Sequence, residues 1–269
     1  MQRSFVHDGL RFNYYDHDFT EPWSNSPVIL MLHAALGNAQ RFNSWVPYLS
    51  RKYRVFRLDQ RGHGLSQLPS LESELSISVM VSDAIALLDH LNIKKAHIVG
   101  NSGGGYVGQH LAMNHPDRIA TLALFGSGPG AGTTPVSTWI PQIRSKGLRN
   151  FLAESMANRL PPEMIGTPHC ENFIDAMANN DVDFACRFYE YMGSQNWTEQ
   201  LGLIKCPTLV VVPGQGRIGS VDTYRPMLEK IRQCEMLVYA GEYHHVCEYL
   251  PERCVTDLLS FLVRHRHSY

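Results

Sequence analysis

His97-Ile98-Val99-Gly100-Asn101-Ser102-Gly103-Gly104-Gly105 is the stretch on which the fold turns. The apolar residues from Ala96 to Gly100 read as a buried strand and Tyr106 to His115 as a helix, so Ser102 stands in a strand-to-helix turn. A serine in so tight a turn needs neighbours without side chains, because Gly100 and Gly104 would otherwise clash across it. Its hydroxyl then projects from the carboxyl edge of the sheet, where open α/β sheets bind ligands. The helix N-terminus beside it favours negative charge that develops nearby.

Working outward, Val28 to Leu32, Arg54 to Leu58, Thr121 to Phe125, Thr208 to Val212 and Met236 to Tyr239 are further short β-rich runs, all predicted as buried strands. Ile77 to Leu91 and Val255 to Leu262 have helical spacing. Strand and helix alternate, which predicts a mainly parallel, doubly wound sheet with right-handed crossovers. Phe5 to His7 and Arg11 to Asp16, joined by Asp8-Gly9, predict an antiparallel hairpin at one edge.

From 128 to 200 the alternation stops, and Pro135, Pro141, Pro161, Pro162 and Pro168 break the segment into short helices. It is expected to be a helical cap inserted into a core formed by 1–127 and 201–269. Its Trp139, Met156, Phe173, Met177, Phe188, Tyr191, Met192 and Trp197 either roof a small-molecule pocket or pack the cap on the core.

The 269 residues suffice for one large α/β domain. With 24 Lys and Arg against 25 Asp and Glu, a net charge of −1 gives no footprint for nucleic acid or an anionic membrane. Residues 1–9 contain no apolar targeting core and the apolar runs are strand-sized, so an unexported, cytoplasmic protein is expected. The six cysteines show no C-x-x-C and no zinc-like spacing, which predicts free buried thiols and no metal. His265 and His267 sit in a charged tail and are expected to be solvated. Oligomeric state is not legible.

Acyl transfer at Ser102 requires donors for an oxyanion and a base for the hydroxyl. One donor is the backbone N–H of Gly103. The other comes from the loop His33-Ala34-Ala35-Leu36-Gly37-Asn38, with Ala35 chosen and Ala34 the alternative. His33 is expected to hydrogen-bond within its loop. The base is His244 or His245, in the segment between the last strand and the final helix.

With these residues in place, the chain resembles the α/β-hydrolase superfamily over nearly its whole length. Within it, the chain is similar to the branch of 3-oxoadipate enol-lactonases and meta-cleavage C–C hydrolases. The resemblance rests on His33-Ala-Ala-Leu-Gly, Asp59-Gln-Arg-Gly-His-Gly-Leu-Ser66, Gly100-Asn-Ser-Gly-Gly104, His115-Pro-Asp-Arg-Ile119 and His244 through Pro251-Glu252. It implies the α/β-hydrolase fold with structural duties for the Asp59 to Ser66 loop, and it selects His244, seven residues before Pro251. The family's acid is expected in a segment resembling P-G-x-D-x-I-G-S, where this chain has Pro213-Gly-Gln-Gly-Arg-Ile-Gly-Ser220, so Gly216 replaces the aspartate. Phe125-Gly126-Ser127-Gly128, the alternative acid position, offers no carboxylate. Asp222 and Glu242 are the nearest substitutes.

The expected function is cofactor-free hydrolysis of a small ester or lactone through an acyl-enzyme on Ser102. The rivals are C–C hydrolysis or a lyase step on an activated ketone, and a ligand-binding protein whose catalysis has decayed. The expected partner is a small-molecule substrate.

Overall fold

The computed structural model describes residues 1–131, 136–215, 218 and 220–269, with the backbone alone at 137. Pro135 and Gly216 therefore lie outside the described residues. Eight strands form one sheet: β1 (Gln2–His7), β2 (Leu10–His17), β3 (Val28–Leu32), β4 (Arg54–Leu58), β5 (Ala96–Asn101), β6 (Ile119–Phe125), β7 (Thr208–Pro213) and β8 (Cys234–Tyr239). Their order is β1-β2-β4-β3-β5-β6-β7-β8. β1 and β2 form the expected antiparallel edge hairpin, β2 joins β4 antiparallel, and the remaining pairs are parallel.

Side chains alternate across this sheet and build a core on each face. Leu30, Leu32, Ile98, Leu122, Leu124, Val210 and Val212 pack on one side, with α1 (Ile77–His90) and α2 (Gly103–Asn114). Ile29, Met31, Val99, Ala123, Phe125, Leu209 and Val211 pack on the other, against Phe42, Trp45, Leu258 and Phe261. β8 departs from the expected burial: it is the far edge strand, Leu237 and Val238 are exposed, and only Tyr239 is buried. An outer strand lacks a neighbour on one side, so its apolar residues are only partly covered.

Between β6 and β7 the chain forms α3 (Val136–Lys146), α4 (Leu148–Ser155), α5 (Pro168–Ala178) and α6 (Val182–Gly193). Pro141 does not end a helix as expected but sits exposed inside α3, where water can satisfy the carbonyl that its missing N–H leaves free. Pro168 opens α5 behind the Thr167 cap. Phe151, Leu152, Met156, Phe173, Ile174 and Met177 bury one another and reach Leu36 of the β3 loop, while Phe188, Met192 and Trp197 join the sheet core. The segment is thus fastened to the edge of the sheet where β3 and β5 end.

Among the described residues, no helix is long and apolar enough to cross a membrane. All six cysteines are free thiols, five of them buried.

Candidate active site

Ser102 joins β5 to α2 at φ 48° and ψ −117°, a conformation that L-residues avoid. The turn is held by three hydrogen bonds: Ser102 N–H donates to Phe125 O at 2.9 Å, Gly105 N–H to Ser102 O at 2.9 Å, and Ser127 Oγ to Ser102 O at 2.8 Å. A Cβ at Gly100 would collide with Gly105, and one at Gly104 with the carbonyls of Leu32 and His33. The glycines therefore let the elbow press against the end of β3.

That contact brings the loop 33–38 to the serine. Ala34 O accepts from His33 Nδ1 at 2.8 Å and from Gly37 N at 2.9 Å. Because the peptide is trans, the Ala35 N–H points away from those donors. A Cβ on Gly103 would lie 3.2 Å from Ala35 N, so the loop backbone at Ala35 closely approaches Gly103. Among the described residues neither amide donates a hydrogen bond, and Ala34, Ala35, Ser102 and Gly103 all line the same cavity.

The Asp59 to Ser66 loop fixes this arrangement from behind. His33 stays within its surroundings as expected, its Nε2 accepting from Gln60 N at 3.0 Å. His63 Nε2 accepts from Leu36 N at 3.2 Å, and Asp59 accepts from Ala39 N at 2.6 Å, Asn13 Nδ2 at 2.8 Å and Leu65 N at 3.0 Å. Burial holds His33 and His63 neutral, each pushed down to about 3.

Of the two adjacent histidines, it is His244, the one at the expected offset from Pro251, that meets the serine: its Nε2 is 3.0 Å from Ser102 Oγ. His245 turns away, its ring edge-on to Phe173 at 4.8 Å, its Nδ1 3.7 Å from Glu248 and its N–H donating to Arg159 O at 3.2 Å. With Ser102 donating to Nε2, the neutral His244 ring carries its proton on Nδ1. That buried N–H finds no acceptor among the described residues.

Neither proposed substitute acid reaches it. Asp222 lies in the first turn of α7 (Val221–Lys230), exposed and paired with Arg225 at 2.6 Å. Ser220 precedes this helix, and its side chain makes no capping hydrogen bond. Glu242 accepts from the Tyr249 hydroxyl at 3.1 Å and lies 3.6 Å from Arg253. The seven residues outside the described set are Gly, Thr, Pro and Arg, none with a carboxyl. His244 is pushed down to about 3, by burial first and then by the cations Arg159 and Arg41.

The cavity over Ser102 has a volume of about 70 Å³ and is lined by Tyr106, Trp139, Phe188, Tyr189, Met192 and Arg159 among others. Arg159 and Tyr189 carry no local motif, and sequence reading passed over both. A buried pair, Arg41 to Glu248 at 2.6 Å, sits behind His245. Among the described residues, no cluster of His, Cys, Asp or Glu is placed to hold a metal ion.

The alpha/beta hydrolase fold family matches residues 27–147, the part of the chain that carries the elbow and the loop facing it. A protein of Caulobacter sp. (strain K31) assigned as a carbamate hydrolase is 37% identical over 287 residues, covering 97% of this chain and 98% of that protein. The 2-hydroxymuconate semialdehyde hydrolase of Pseudomonas sp. (strain CF600) is 32% identical over 128 residues, 46% of this chain and 43% of that enzyme. Against several curated relatives the chain spans only 36% to 64% of their length. The enol-lactonase from Burkholderia xenovorans LB400 superposes with a TM-score of 0.88 at 22% identity, over 97% of this chain and all of that one. An elbow serine, an eight-stranded, mostly parallel sheet and a 37% identical relative matched end to end give one conclusion: the chain belongs to the alpha/beta-hydrolase family.

Proposed function

We propose that the chain hydrolyses a small ester or lactone by a serine acyl-enzyme route. The observation that carries this reading is the 3.0 Å contact between Ser102 Oγ and His244 Nε2 in the wall of a cavity. Ser102 attacks the carbonyl carbon as its proton passes to His244 Nε2, and the Ala35 and Gly103 amides hold the oxyanion. The tetrahedral intermediate collapses, the carbon–oxygen bond breaks, and the proton moves to the leaving oxygen. Water, deprotonated by the same ring, then releases the acid and restores the serine. The residues 128–200 act as the cap, with Trp139, Phe188 and Met192 supplying its apolar wall.

The orphaned Nδ1 of His244 supports a second reading, in which the cavity binds a ligand and catalysis has decayed. A fluorophosphonate probe separates the two. The hydrolase reading expects labelling of the wild type at Ser102, loss of the label in Ser102→Ala and a far weaker rate in His244→Ala than in His245→Ala. Unchanged labelling of Ser102→Ala would overturn it.

A further inference from the structure

Leu36 follows Ala35 and stands at φ 55°, a left-handed conformation that residues other than glycine seldom adopt. Both of its backbone polar groups are held by side chains. Its N–H donates to His63 Nε2 at 3.2 Å, and its carbonyl accepts from Asn180 Nδ2 at 2.8 Å. Asn180 lies just past α5, in the helical segment between β6 and β7, 144 positions from Leu36 along the chain. A second bond, from the same Nδ2 to Met177 O at 2.8 Å, ties it to the last turn of α5. Two carbonyls facing one side-chain amide leave a single orientation, since only the NH₂ end of asparagine can donate to both. Asn180 Oδ1 is thereby buried with no hydrogen-bond partner among the described residues. Such an orphaned acceptor is destabilising, and an apolar residue would not create it.

The bond to Leu36 O is the first link of a row. The peptide that joins Leu36 to Gly37 is trans, so its N–H points away from the carbonyl that Asn180 holds. That N–H belongs to Gly37 and donates to Ala34 O at 2.9 Å. The peptide that joins Ala34 to Ala35 is trans as well, and its N–H is that of Ala35, beside Gly103. Three amides are therefore aligned head to tail, from the Asn180 side chain to the Ala35 N–H. Hydrogen bonds in such a row polarise one another, and each fixes the plane of the next peptide. His33 Nδ1 also meets the Ala34 carbonyl at 2.8 Å, so the row has a second support near its end.

We propose that Asn180 is a positioning residue for the oxyanion donor: through Leu36 O and Ala34 O it orients and polarises the Ala35 N–H. Asn180 is not among the residues that line the cavity over Ser102. Its effect belongs to the transition state, because charge on the oxygen that Ala35 meets develops only as Ser102 adds to the carbonyl. The contribution weighs more here than beside a complete triad, since His244 Nδ1 has no carboxylate partner among the described residues. Oxyanion stabilisation is also made conditional on α5 being seated against Leu36, whose side chain is buried with Ile174 and Met177. The inference rests on the serine-hydrolase reading for its kinetic part, whereas the hold of Asn180 on the loop does not need it.

The test is steady-state kinetics on phenyl acetate with Asn180→Ala and Asn180→Asp. The alanine variant is expected to lose about tenfold in kcat with KM within about twofold, less than the roughly hundredfold or more that deleting a direct oxyanion donor costs. Aspartate keeps the shape, but its ionised carboxylate cannot donate to Leu36 O while its protonated form can. Its kcat relative to the wild type should therefore recover as the pH falls from about 9 to about 5.5, a profile that a merely structural role would not produce. Exchange of the Gly37 amide hydrogen should be at least about tenfold faster in both variants at high pH, because its bond to Ala34 O is no longer held in line. An unchanged kcat in Asn180→Ala, a loss carried by KM alone, or an aspartate-to-wild-type ratio that stays flat with pH overturns the proposal. Should Asn180→Ala fail to fold, the aspartate profile decides alone. A wild type that neither turns over the ester nor takes a fluorophosphonate label removes the hydrolase reading instead. Gly37 exchange would still decide the hold on the loop, equal rates in the wild type and Asn180→Asp at high pH overturning it.

Discussion

Gly126 lies against the ring of His244: a Cβ on this glycine would stand 3.5 Å from Nδ1, 3.4 Å from Cε1 and 3.2 Å from the His244 carbonyl oxygen. Gly126 follows β6 at φ 60°, so a side chain there is strained as well as crowded. Gly126→Ala is expected to displace the histidine from Ser102 and lower kcat/KM by roughly tenfold to a hundredfold, the scale of misplacing a reacting group by about an ångström. Michaelis kinetics with circular dichroism on the folded variant would check it, and an unchanged rate would mean that the ring is not held by this contact.

The missing acid predicts insensitivity where a complete triad would be sensitive. Asp222→Asn and Glu242→Gln should each keep kcat/KM within about threefold of the wild type, whereas impairing a triad aspartate costs about 10⁴ in a well-studied serine protease. Gly216→Asp, at the position where the family carries its aspartate, should raise the rate on simple esters. A thousandfold drop in either amide variant would identify the third member and refute the idea.

His63 supports the loop that carries Ala35. Its Nε2 is the acceptor for the Leu36 N–H, and Leu36 sits at φ 55° one residue past Ala35. His63→Leu leaves that buried amide without a partner, at a cost of about 1–3 kcal/mol. We expect a lower urea midpoint together with a fall in kcat larger than any change in KM. A variant that loses stability but keeps full kcat would show that the loop holds its shape alone.

Seven histidines predict the response to acid. His33, His63 and His244 are pushed down to about 3, His17, His97 and His110 to about 4, and His245 well below its ordinary value, in each case chiefly by burial. The unfolded chain binds their protons near pH 6.5 and the folded chain only well below it. Their contribution is therefore complete above about pH 6.5 and is lost as the pH falls towards 3–4. Asp83 and Glu248, raised by burial, act in the opposite direction but are two groups against seven. Urea midpoints should fall steadily from pH 7 to pH 4.5, and kcat/KM on a neutral ester should show no acid limb at 6.5. A stable protein whose activity titrates at 6.5 would contradict the burial of His244.

Residue pattern alone was enough for the scaffold and for the strained turn at Ser102. β3 to β7 are set by short apolar runs, and the elbow by Gly100, Ser102 and Gly104, because strand burial and a strained turn are local demands that residue type must meet on the spot. Local pattern misled where neighbours decide: β8 is apolar but lies at an open edge, and Pro141 sits at an exposed position inside a helix. Residue type and chain position left His244 and His245 open, and only the resemblance, through the seven-residue offset to Pro251, selected His244. Only the tertiary structure put His244 on a serine 142 positions earlier and turned His245 towards Phe173. It also placed Arg159 in the cavity wall and kept Asp222 and Glu242 away from Nδ1. Such relations belong to the path of the folded chain, since burial and charge pairing join residues that no stretch of sequence holds together.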